Sequence, residues 1–151
     1  MASTTTSTLA SLASNYLSCF IVYRHLCLAI EQSLRQLPKS DFSELKSYAK
    51  PPLACLAILE GVGILLEPSK QIWEWTDDKK LIGGNSDQFL QRLFDLDKDS
   101  ISLEQLKRLD SILGRTDCQP GELANVSSLC HQLGLWLRAI VAHTTQRQQT
   151  H

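Results

Sequence analysis

The side chains able to do chemistry are few and widely spaced. The five cysteines are Cys19, Cys27, Cys55, Cys118 and Cys130. Their number is odd and no Cys-x-x-Cys occurs, so the spacing encodes neither a disulfide framework nor a zinc site. Reduced, mostly buried thiols are expected instead. Cys130 and His131 are adjacent, but neighbours on a helix point in different directions and do not form a nucleophile–base pair. The four histidines, His25, His131, His143 and His151, never fall at ligand spacing. The run Asp95-Leu96-Asp97-Lys98-Asp99-Ser100 begins like a calcium loop. An EF-hand also needs glycine at position 6, an apolar residue at 8 and a bidentate glutamate at 12. Ser100, Ser102 and Leu106 stand at those places, and Glu104 falls two places early. The run therefore reads as an acidic turn that caps the next helix. Gly83-Gly84 is followed by Asn85-Ser86 rather than Lys-Ser, so a P-loop is absent, as are GxSxG, HExxH and dinucleotide fingerprints. The chain is not read as an enzyme, and no metal or cofactor is expected.

The elements that position these residues are helical. No sustained period-two alternation and no Asn-Gly hairpin turn occur, whereas apolar residues recur at helical spacing throughout. A first helix is predicted over Ala13–Leu37, and Pro38 disturbs it. Ser40 reads as the N-cap of a short helix through Tyr48, with Glu44 near its third position. Pro51-Pro52 breaks the chain and starts the next helix. Leu53–Leu66 carries Glu60 as its one charged residue, so it is apolar on nearly all sides and belongs in the centre of the core. Thr76 reads as the cap of a helix over Asp77–Ile82, with Asp77 and Asp78 against its N-terminal dipole. Ser86 and Ser102 cap the next two helices, and Gly114 stops the second. A last helix begins near Pro120 and includes Leu123, Val126, Leu129, Leu133, Trp136, Leu137 and Ile140. Residues 144–151 read as a polar, disordered tail. Trp73, Trp75 and Trp136 read as core anchors. The fold class is all-α, a small bundle of six or seven helices.

Composition narrows the partners. The 151 residues are 43% hydrophobic and 21% charged, which suits one domain with a real core. A net charge of −1 excludes a nucleic-acid binder held by bulk positive charge. No Lys or Arg precedes Arg24, so the basic start of a signal peptide is missing. The apolar stretch Tyr16–Ile30 contains Ser18, Arg24 and His25, too short and too polar for a membrane span. It reads as an amphipathic helix packed on something else.

Several local features fall into one order. They are Ser43-Glu44-Leu45-Lys46-Ser47 followed by Pro51-Pro52, then the apolar stretch Ala57–Leu66. Next come Trp75 with Lys79-Lys80-Leu81, and Phe89-Leu90-Gln91-Arg92-Leu93 running into Asp95–Ile101. Last comes Ser127–Ile140 with Trp136 and Arg138-Ala139. From about Ala29 to His143 this order resembles the microtubule-binding domain at the tip of the dynein heavy chain stalk. The resemblance implies a helical globule on the stubs of an antiparallel coiled coil. Residues 29–50 end the entering strand, and residues 122–143 hold the last tip helix and begin the returning strand. Residues 1–28 lie outside it. It also implies that the globule binds tubulin and that sliding of one strand against the other switches its affinity.

Tubulin is acidic, so basic residues on one face are the expected contacts. The candidates are Lys50, Lys107 and Arg108, with Lys79, Lys80 and Arg92 behind them. The chain departs from the family at Leu56, four places after the second proline, where a basic residue is usual. It departs again at Asn125-Val126-Ser127, near the start of the last helix. Between Ser43 and His143 there are eleven basic residues against fourteen acidic ones. An ATPase ring does not fit in 151 residues, so the expected function is a non-catalytic microtubule-binding module, cytoplasmic and on the cytoskeleton, cilium or axoneme. A helical interaction domain that kept the fold and lost tubulin affinity is the alternative. Its partner would be a dynein-related or coiled-coil protein, met through Tyr16, Phe20 and Tyr23.

Overall fold

Pro51 and Pro52 set where the core begins. In the computed structural model, which describes residues 22–149, Pro52 is the N-cap of a helix over Leu53–Leu66. Proline suits this place because the first turn of a helix has no use for its missing N–H. The described residues form eight α-helices and one 3-10 turn, with no strand. They are α1 (22–36), α2 (Lys39–Ser47), α3 (Leu53–Leu66), α4 (Trp75–Ile82), α5 (Ser86–Phe94), α6 (Leu103–Leu113), the 3-10 turn Thr116–Cys118, α7 (Pro120–Ala124) and α8 (Ser128–Gln149).

α3 is the centre of the bundle, as its composition requires. Ile58, Leu59, Val62, Ile64 and Leu65 are all buried, and each contributes about 2 kcal/mol of transfer free energy. Gly61 and Gly63 let neighbours come close. A methyl group on Gly61 would meet Leu137 of α8 at 2.8 Å, and one on Gly63 would run into the Trp73 ring. Trp136 is fully buried, while Trp73 and Trp75 lie half-buried against the core. Cys27, Cys55, Cys118 and Cys130 are buried and unbridged. Burial pushes the Cys27 and Cys118 thiols up to about 11, so both are protonated and unreactive at neutral pH. Cys19 and the part of the first predicted helix before residue 22 lie outside the described residues.

Several boundaries differ from the sequence reading. α2 starts at Lys39 behind Pro38, so Ser40 sits inside the helix rather than capping it. α4 starts at Trp75 rather than Asp77, because the Asp77 carboxylate accepts from the Glu74 N–H at 2.9 Å and closes the first turn two residues earlier than a Thr76 cap allows. Asn85, not Ser86, caps α5, its side chain accepting from the N–H groups of Asp87 and Gln88. Ser102 caps α6 as expected, and Gln105 returns the bond to the Ser102 N–H, completing a capping box. The predicted last helix is two helices. Asn125 ends α7, and the Ser127 hydroxyl accepts from the Cys130 N–H and restarts the chain as α8. α8 then continues to Gln149, so residues 144–149 are helical where a disordered tail was expected.

α1 and α8 run antiparallel. Glu31 meets Trp136, while Arg24 and Cys27, earlier in α1, share a cavity wall with His143, later in α8.

Candidate functional site

The relation of α3 to α8 decides what the globule presents at its end. Cys55 touches Cys130, Ile58 touches Gly134 and Gly61 touches Leu137, so the two helices run parallel. Their N-termini therefore lie side by side. Lys50 is exposed just before α3, and Leu53 on its first turn is 70% exposed. Val126, just before α8, is 39% exposed beside exposed Asn125. Leu56, one turn into α3, is half-buried. Two apolar side chains and one lysine thus mark this end.

The six basic candidates fall into two groups. The Trp75 indole N–H donates to the Tyr48 carbonyl at 3.0 Å, two residues before Lys50, and the Lys79 ammonium stands 5.6 Å over the same ring. This brings Lys79 to the side of Lys50. Lys80 and Arg92 are exposed and line a hollow with Lys70, Trp73, Asp77 and Glu67. Arg108 reaches this second group by donating to the Lys70 carbonyl at 3.4 Å. Lys107, exposed beside it, shares a shallow concavity with Glu60 and Ile64. No single pocket collects all six.

Sequence reasoning missed Lys70. Its ammonium lies 5.3 Å over the Trp73 ring and 3.2 Å from the Asp77 carboxylate. A lysine three residues before a tryptophan in a loop was the available signal. The backbone N–H of Glu74, first, and Lys70, second, hold the half-buried Asp77 carboxyl below the ordinary range.

Asp78 stands in the first turn of α4, as the sequence reading expects. It turns inward, is 2% exposed, and its Oδ1 has no hydrogen-bond partner. Burial, then the neighbouring Asp77 and Glu60 carboxylates, push it up to about 7. The Trp73 indole N–H on the same flank of α3 is also buried without a partner. The acidic run at 95–100 forms a tight turn: Asp97 accepts from the Asp99 N–H at 3.0 Å, and its carbonyl accepts from the Ser100 hydroxyl at 2.9 Å.

An all-helical globule closed by an antiparallel helix pair, with two parallel helix starts at its end, is the class this fold defines. The chain matches the family described as the microtubule-binding stalk of dynein motor over residues 24–145. It is 32% identical over 117 residues to dynein axonemal heavy chain 2 of Homo sapiens, covering 74% of this chain and 2% of that one. It is 33% identical over 108 residues to dynein axonemal heavy chain 14 of Homo sapiens, covering 72% and 3%. A ciliary dynein beta chain of Tripneustes gratilla is 31% identical over 116 residues, covering 76% and 3%. The chain belongs to the dynein microtubule-binding stalk family. It spans 2–3% of the length of these heavy chains.

Proposed function

We propose that this domain binds microtubules as a non-catalytic module, through the end where α3 and α8 begin. The match to the microtubule-binding stalk family over residues 24–145 carries the reading. Tubulin is the partner. Lys50 and Lys79 stand on the contacting side, and Lys80, Arg92, Lys107 and Arg108 steer the acidic lattice from the flank. The relatives bear axonemal and ciliary names, which supports a setting on the cytoskeleton of a cilium or axoneme. No reaction is assigned to these residues.

A specific observation favours a second reading. Leu53 and Val126 are exposed at the end where the family resemblance leads one to expect charge. A helical interaction domain that meets an apolar partner would use them. Co-sedimentation of the purified chain with stabilised microtubules, at tens of micromolar and at two salt concentrations, separates the two. Salt-sensitive pelleting that weakens on Lys50→Glu supports microtubule binding. No pelleting at either salt rejects it and leaves the second reading.

A further inference from the structure

The loop between α3 and α4 displays an apolar side chain in a basic surround. Ile72 is 76% exposed, the most open large apolar residue among those described. The residues beside it are held in place. The Trp73 ring edge fills the space that Gly63 of α3 leaves free, and the Lys70 ammonium lies 5.3 Å over that ring. Lys70 also pairs with Asp77 of α4 at 3.2 Å, and its carbonyl accepts from Arg108 of α6 at 3.4 Å. The loop is therefore tied to three helices while Ile72 stays in solvent. Next to it, Lys70, Trp73, Lys80 and Arg92 line one hollow with Glu67 and Asp77. Asp77 is engaged by Lys70, whereas neither Lys80 nor Arg92 forms an ion pair among the described residues.

We propose that this loop and hollow dock an acidic segment of a partner protein other than tubulin, with one aliphatic side chain of that segment packed on Ile72 and its carboxylates on Lys80 and Arg92. Charge complementarity picks the partner, because two exposed cations without ion pairs are matched by a neighbour that brings carboxylates. Arg92 can hold a carboxylate through two parallel N–H donors. Ile72 supplies the apolar anchor, and a loop that is already tied down loses little conformational freedom on binding. One aliphatic side chain is too little for stable anchoring to a lipid surface. Position separates the hollow from the proposed tubulin contact. Glu67 caps the C-terminal end of α3, whose 14 residues place it roughly 21 Å along the axis from Leu53. A domain seated on the lattice by the α3 start leaves the hollow open. Long-range steering by Lys80 and Arg92 needs no contact and coexists with such docking. The choice of a partner other than tubulin rests on the function proposed above; the docking surface does not.

The probes are two synthetic glutamate-rich peptides, one with a central leucine and one with serine in its place. Each is titrated into the isotope-labelled full chain. The indole N–H resonances report binding, that of Trp73 being identified by Trp73→Phe. The leucine peptide shifts the Trp73 resonance saturably and leaves that of Trp136 in place. The serine peptide binds about tenfold more weakly, as the loss of one buried aliphatic side chain requires. Ile72→Ser weakens the leucine peptide by a similar factor and brings the two peptides level. Lys80→Glu with Arg92→Glu weakens both peptides about tenfold or more, while Lys50→Glu changes neither by more than about twofold. All four substituted side chains are exposed, so these variants keep the fold. No saturable shift with the leucine peptide, equal affinity of the wild type for both peptides, or an equal loss on Lys50→Glu overturns the proposal. So does Ile72-dependent binding to phosphatidylserine vesicles, which makes the occupant a lipid surface. Pelleting with microtubules in saturating leucine peptide is expected to match pelleting without it. A peptide that displaces the chain makes the hollow a tubulin contact and the proposal falls. If the peptide binds as described while the chain alone does not pellet, the docking surface stands and the microtubule reading fails.

Discussion

Two buried carboxylates sit on opposite flanks of this domain under opposite conditions. Glu31 holds Lys98 and the Trp136 indole where α1, α8 and the turn meet. Asp78, on α4 against α3, has an unpartnered oxygen and two like-charged neighbours, Asp77 and Glu60. Low dielectric strengthens a satisfied charge and penalises an orphan one. The stalk side is therefore tied by a charge, while the α3–α4 side is held more tightly when its carboxyl is neutral.

The largest effect that breaks this comparison is removal of the Glu31 partner. Lys98→Met leaves a buried carboxylate uncompensated and destabilises the domain by about 3–5 kcal/mol. Denaturant unfolding measures it, and a loss under about 1 kcal/mol would show that Glu31 reaches solvent.

Asp78 comes next and has the opposite sign. Its pKa lies near 7 when folded and at the ordinary 3.8 otherwise. The folded state binds more protons in that window, so stability is full below pH 3.8, falls as pH rises, and levels off above 7. The total fall is about 2–4 kcal/mol. Asp78→Asn removes that slope between pH 4 and 7 and stabilises the domain at pH 8. Melting curves across the range check it, and an unchanged slope would place the titration elsewhere.

Gly63→Ala gives a smaller loss. The Trp73 ring occupies the space of the new methyl, so the α3–α4 flank must open, costing about 1–2 kcal/mol net of the helix propensity gained. Combined with Asp78→Asn it sharpens the comparison, because both changes act on one flank and couple. Strict additivity in unfolding would separate them.

Much of the scaffold was legible in the chain. Pro51-Pro52, the nearly uncharged stretch to Leu66 and the Ser102 cap each carry a local signal strong enough to survive packing. The break at 125–127 was hidden because Leu123, Val126 and Leu129 keep helical spacing across it, and only the Ser127 hydroxyl reveals the restart. The burial of Asp78 was not legible because one residue's step along a helix turns a side chain from water to core, and only the position of α3 decides which. The basic residues were legible as types. Their grouping through Trp75, Tyr48 and Lys70 depends on contacts between distant parts of the chain. Glu31 left a faint trace, a charge on the stripe Cys27, Ile30 and Leu34.

The most direct test of the account is microtubule co-sedimentation of the wild-type chain beside a Lys50→Glu, Lys79→Glu variant, at low and moderate salt. Both substituted side chains are exposed, so folding should change by less than about 0.5 kcal/mol. The account predicts saturable, salt-sensitive pelleting of the wild type and clearly weaker pelleting of the variant. Wild-type chain left in the supernatant at both salts contradicts it.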